Sequence, residues 1–139
     1  MAGVHEAERG DAEAILAAVG SVLWVAHEEL LDAVTAVSGS GPAYVFYFIE
    51  AMQKAAHELG LDAAQARQLS IDTFVGAARL ASQSSEDAAT LRARVTSPGG
   101  TTERAIRVLE DEGVKSAILR AIHVANERSR ELGDEFGKI

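Results

Sequence analysis

The chain has 139 residues, of which 47% are hydrophobic, 24% charged and 5% aromatic, with no Cys and a formal charge of −8. A chain of this length buries roughly two thirds of its unfolded surface, so it needs no disulfide or metal to hold a core; without Cys, thiolate nucleophiles, Cys-ligated metal centres and disulfide frameworks are all excluded. The acidic balance opposes binding to nucleic-acid phosphates, and the longest apolar run, 43–49, stops at Glu50, far short of the ~20 residues that cross a bilayer.

Met1 is followed by Val4, His5, Glu6 and Glu8 rather than by a basic stretch and an apolar core, so no signal peptide is read and a cytoplasmic location is expected, with neither nucleic acid nor membrane as a partner. Ala supplies 26 residues, and apolar positions recur at i, i+3 and i+4 far more often than they alternate, which makes the chain mainly helical. Residues 8–19 carry Ala12, Ile15, Leu16 and Val19 on one face and stop at Gly20. Residues 21–26 (Ser-Val-Leu-Trp-Val-Ala) read instead as a single buried strand, which must pair with a copy of itself or close a sheet whose other strands lie elsewhere. A helix over 28–36, with Leu30, Leu31 and Val34 inward, is broken by Ser38-Gly39-Ser40-Gly41-Pro42. Pro42 is suited to open the next helix, 43–59, ending at Gly60.

In that helix Tyr44, Val45, Phe46, Tyr47, Phe48 and Ile49 are apolar or aromatic on every side, so it should be buried all round, with a second subunit as the cover for its outer face. Asp62 caps a helix to about Ser82, where Gly76-Ala77-Ala78 permits close approach of a neighbour. A polar turn at 82–85 leads to a shorter helix over 86–94. Residues 96–100 form a second loop, and helices over 101–111 and from Val114 to about Leu132 close the chain, with a frayed tail after Gly133.

Chemistry concentrates in Val95-Thr96-Ser97-Pro98-Gly99-Gly100-Thr101-Thr102-Glu103-Arg104. Hydroxyls at Thr96, Ser97, Thr101 and Thr102, two Gly that admit a ligand to the backbone, and a helix N-terminus with unpaired amides together suit a small anion such as a carboxylate or phosphate. A plain Ser/Thr/Gly helix cap with Glu103 favourable in the first turn satisfies the same pattern. Residues 38–42 lack the dinucleotide fingerprint and the Walker lysine, so they read as a kink that still offers backbone to a flat ring. His5, His27, His57 and His123 lie in separate segments without a metal-ligand spacing, and no metal site is expected.

The stretch Leu31-Asp32-Ala33-Val34-Thr35-Ala36-Val37-Ser38-Gly39-Ser40-Gly41-Pro42-Ala43-Tyr44, followed by 95–102 and by Ala105-Ile106-Arg107-Val108-Leu109-Glu110, resembles the C-terminal region of pyrroline-5-carboxylate reductase, the second block being that family's signature. The likeness covers about 28–133, while residues 8–26 look like the last helix and strand of the family's N-terminal cofactor domain. The resemblance implies a mainly α, intertwined helical dimerisation and substrate-binding domain at 28–139, preceded at 1–27 by a remnant of a dinucleotide-binding Rossmann domain. It implies an oxidoreductase of proline biosynthesis that reduces the C=N bond of 1-pyrroline-5-carboxylate to L-proline with hydride from NADPH or NADH, as a homodimer or larger homo-oligomer that completes the active site.

Carried over by position, the Ser97 hydroxyl and the amides of Gly100, Thr101 and Thr102 would bind the substrate carboxylate. The Thr102 hydroxyl, the catalytic candidate, would sit near the ring nitrogen, and Ser38, Gly39, Ser40, Gly41 and Pro42 would border the nicotinamide. At Thr101 many relatives have Ala, tolerable if only the amide is used. No Gly-x-Gly-x-x-Gly follows a strand here, so this chain alone is expected neither to bind cofactor tightly nor to form proline. Two other readings are a non-catalytic helical dimerisation module and the helical half of another imine or hydroxyacid reductase. The accumulation of Gly and hydroxyls at 96–102 disfavours the first, and the Ser-Pro-Gly-Gly-x-Thr signature disfavours the second.

Overall fold

A computed structural model describes residues 5–137. The elements, in chain order, are α1 (Glu6–Ala17), α2 (Leu30–Val34), a π-helical turn (Thr35–Gly39), α3 (Gly41–Glu58), α4 (Ala63–Gln83), α5 (Ala88–Arg94), α6 (Thr101–Asp111) and α7 (Val114–Phe136). The mainly helical reading holds. No strand forms among the described residues: 21–25 have no regular secondary structure. Periodicity identified an extended, β-branched segment, but a strand exists only where a neighbour completes its ladder, and no segment among the described residues pairs with it as a strand. It folds back on α1 instead, with Trp24 Nε1 donating to Glu13 Oε2 at 3.2 Å and the Arg9 guanidinium 4.3 Å from the centre of the Trp24 ring.

Local chemistry sets most helix ends. Asp62 and Gln65 form a reciprocal cap on α4, with Gln65 N–H donating to Asp62 Oδ1 at 2.8 Å and Asp62 N–H to Gln65 Oε1 at 3.1 Å. Asp87 caps α5 by accepting from Thr90 N–H at 2.8 Å, which starts that helix at Ala88 rather than at residue 86. Gly113, at φ +65°, makes the left-handed step from α6 into α7. Two ends differ from expectation. The helix read over 28–36 begins at Leu30 and widens at Thr35 into the π-turn, so Ser38 and Gly39 lie inside helical backbone rather than in a kink. Likewise α7 continues through Gly133 to Phe136, where Arg128 reaches Glu131 and Glu135 at 2.7 and 3.0 Å along one face.

α3 and α4 pack as a hairpin, and α7 packs against α2, the π-turn and α6. Asp32 ties α2 to α7 through the Ser129 hydroxyl, which donates at 2.6 Å, and through Arg130 at 3.8 Å. The core of the single chain is thin: the described buried residues are Ala36, Ala66 and Ser70. α3 is therefore not buried all round within one chain, since Phe46 is 66% and Tyr47 73% exposed. Gly76 likewise has no neighbouring element within reach of a Cβ. The accessible surface is 11296 Å², against about 6,900 Å² for a compact monomer of this mass. Among the described residues no helix is long and apolar enough to cross a membrane.

Candidate functional site

The signature loop is built by two interlocked turns. Thr96 closes α5: its hydroxyl donates to Arg92 O at 2.6 Å and its N–H to Ala93 O at 3.1 Å. Ser97-Pro98-Gly99-Gly100 then makes a β-turn, with Gly100 N–H donating to Ser97 O at 3.0 Å. Pro at its second position and Gly99 at φ +74° in its third are the chemistry of a type II turn. Gly100 is the N-cap of α6 and carries no capping side chain. A Cβ there would stand 3.0 Å from Ser97 O, so the turn and the helix approach as closely as Gly allows.

The consequence for anion binding differs in one respect from the sequence-based expectation. The Gly100 amide, expected to face a ligand, is already used within the turn. The N–H groups of Thr101, Thr102 and Glu103 have no partner among the described residues, and neither do the hydroxyls of Ser97, Thr101 and Thr102. Three free amides at the positive end of an eleven-residue helix, beside exposed hydroxyls, can receive a carboxylate without any Lys or Arg.

Sequence reasoning did not find what holds this loop. Glu103 Oε2 accepts the Gly99 N–H at 2.8 Å, and Arg92 pairs with Glu110 at 3.5 Å, bridging α5 to the far end of α6. Glu86 pairs with Arg94 at the end of α5. Glu103 had a signal, since an acid three residues after an N-cap is the spacing of a capping box; the Arg92–Glu110 pair, 18 residues apart, had none.

The second loop is carried by the π-turn. Ser40 N–H donates to Thr35 O at 2.9 Å, which inserts one extra residue before α3 starts at Gly41 with Pro42 in its first turn. The Tyr44 hydroxyl donates to Ala36 O at 3.2 Å, tying the turn to α3. Ser38, Gly39 and Pro42 are exposed, and a Cβ at Gly41 would meet nothing. No described hydrogen bond or ion pair joins this loop to Ser97–Thr102. Two grooves, one apolar and 710 Å³ between α3 and the α6–α7 corner, the other 610 Å³ beside Glu28, Glu29, Asp32 and Arg130, include neither loop. Among the described residues no three His, Asp or Glu converge as a metal site. His57 Nδ1 donates to Leu61 O at 3.1 Å and closes the end of α3.

A family model described as pyrroline-5-carboxylate reductase dimerisation matches residues 28–132, which span α2 to α7 and both loops. The chain belongs to that family. It is 44% identical over 137 residues to a pyrroline-5-carboxylate reductase of Pseudomonas aeruginosa, covering 99% of this chain and 50% of the relative. It is 48% identical over 122 residues to the Synechocystis reductase, covering 88% and 45%. A solved pyrroline-5-carboxylate reductase from Coxiella burnetii superposes with a TM-score of 0.90 at 43% identity over 95% of this chain and 49% of that one. A Plasmodium falciparum pyrroline carboxylate reductase with NADP bound gives 0.88 at 28% identity over 96% and 53%. The chain thus spans about half the length of the reductases it matches, and α1 with residues 18–27 lies outside the dimerisation match.

Proposed function

We propose that this chain is the substrate-binding and dimerisation part, residues 28–139, of a pyrroline-5-carboxylate reductase that converts 1-pyrroline-5-carboxylate to L-proline in the cytoplasm, with residues 1–27 belonging to the edge of a cofactor domain. The observation that carries the reading is the signature loop itself: a Gly-capped helix start whose first three amides are free, in a family of reductases whose substrate is a carboxylate. The amides of Thr101, Thr102 and Glu103 with the Ser97 hydroxyl hold the substrate carboxylate, and the ring is oriented from that fixed end. The Thr102 hydroxyl lies toward the ring nitrogen, where it orients the imine and relays its proton.

The chemistry supplied by NADPH or NADH, when bound, is the hydride that goes to the imine carbon. This chain's residues suit only the nicotinamide edge, through Ser38–Pro42, of which Ser38, Gly39 and Pro42 are exposed; nothing in them resembles a pyrophosphate cradle, so no tight cofactor binding by the chain alone is proposed. A homodimer is the second part of the proposal. The surface exposed beyond that of a compact monomer is about 4,400 Å², more than the 600–1,000 Å² or so that each partner buries in an ordinary stable interface. The apolar groove along Tyr44, Tyr47, Phe48 and Met52 is its natural centre.

The test is a titration of the chain with L-proline, followed by amide NMR, with pyrrolidine as the ring lacking a carboxylate. Proline should bind at about millimolar strength, near −4 kcal/mol, with shifts clustered on 97–103. Equal responses to both ligands, or shifts elsewhere, would leave the loop a helix cap and favour the non-catalytic dimerisation module.

A further inference from the structure

We infer that Glu103 is the positioning residue of the signature loop: by taking the Gly99 N–H it fixes the turn that keeps the Thr101 and Thr102 amides free for a carboxylate. The inference rests on the reading of this loop as the carboxylate site. An acid at the third position of a helix ordinarily reaches back to the N-cap amide. Here that amide, on Gly100, is spent on Ser97 O at 3.0 Å, and Glu103 reaches one residue further, to Gly99 at 2.8 Å. The two hydrogen bonds interlock, because Gly99, at φ +74°, lies inside the turn closed by the first and is the donor in the second. Close contact leaves the loop little room to adjust: a Cβ at Gly100 would already crowd Ser97 O.

The side chain behaves as a brace rather than as a solvated charge. Glu103 is half-buried, whereas Ser97, Pro98, Gly99, Thr101 and Thr102 around it are exposed. Its carboxylate also has the option of folding onto the free amides of its own first helical turn, which would close the site. Holding Gly99 instead leaves those amides available. Glu103 is thereby distinguished from a general helix-dipole acid, whose place would be filled equally well by any negative charge in the first turn.

The test compares L-proline titrations of the wild-type chain, Glu103→Gln and Glu103→Ala, read on the amides of 97–103, together with hydrogen exchange of the Gly99 amide. Gln keeps an acceptor for Gly99 without the charge, and should hold proline within twofold of wild type with Gly99 protected. Ala should weaken proline about fivefold or more and speed Gly99 exchange about tenfold, while α7 amide signals stay in place. Unchanged proline affinity in Glu103→Ala, or a loss in Glu103→Gln equal to that in Ala, overturns the inference. If Glu103→Ala does not fold, Glu103→Gln decides alone, retention supporting the inference and loss overturning it. A wild-type chain that gives no proline shifts at 97–103 overturns the carboxylate reading and the inference together, whereas wild-type binding with an indifferent Ala variant overturns the inference only.

Discussion

Asp87 accepts the Thr90 N–H at 2.8 Å and the Thr90 hydroxyl at 3.3 Å, and these bonds, the backbone one foremost, hold its carboxyl below the ordinary value of 3.8. A group whose folded pKa is depressed contributes its stability above the unfolded value and loses it as pH falls through the folded one. The cap on α5 should therefore contribute fully above pH 3.8 and be lost only as pH falls further, through the lower folded-state value. An acid titration of the Thr90 amide shift would follow this loss, and Asp87→Asn, which cannot titrate, should flatten it. At the site, Thr102→Ala should weaken L-proline several-fold in the same NMR titration while leaving circular dichroism unchanged. Removing one exposed hydroxyl costs helix stability little, so a large drop in helicity would show that Thr102 is structural instead.

The π-turn is the element whose geometry is least like its sequence. Ala36 is fully buried, and its carbonyl accepts from Tyr44. Tyr44→Phe leaves that carbonyl without its partner, and about 1 kcal/mol of stability should be lost, measured by urea unfolding. Amide exchange should rise at 38–41 before it rises in α4. The α5–α6 corner makes a second case. Gly99→Ala forces a Cβ into a left-handed conformation at φ +74°, with an expected cost of about 1–2 kcal/mol, and should disturb the signature loop while α3 and α4 are unaffected. Both loops were legible as punctuation in the sequence, because Gly and Pro announce where regular backbone ends. That one would be a π-turn, and that Gly100 would spend its amide on Ser97, was not, since each depends on a particular hydrogen bond rather than on residue type.

For the molecule as a whole, a thin core and a broad apolar surface oppose a lone monomer in solution. The mass by light scattering should be about twice 14.7 kDa or a multiple of that, and Phe46→Glu together with Tyr47→Glu should shift it to the monomer with loss of stability. A wild-type monomer stable at micromolar concentration would refute the homodimer. Helicity should fall with dissociation, because α3 is joined to the chain's own elements mainly through α4 and the π-turn.

Helix content, the order of the helices, the cap at Asp62, and the place of both loops were determined by the sequence alone. These depend on contacts within four residues, where side-chain type and spacing suffice. The dimerisation family was also legible there, because the signature residues 95–102 are contiguous. Only the tertiary structure decided that residues 21–25 form no strand within the single chain, since a ladder needs a second segment and pattern cannot supply one. It also decided that Asp32 reaches Ser129 across 97 positions of chain and that Arg92 pairs with Glu110. Such contacts bring together residues whose separation in sequence carries no periodic signal, so they exist only once the helices have packed.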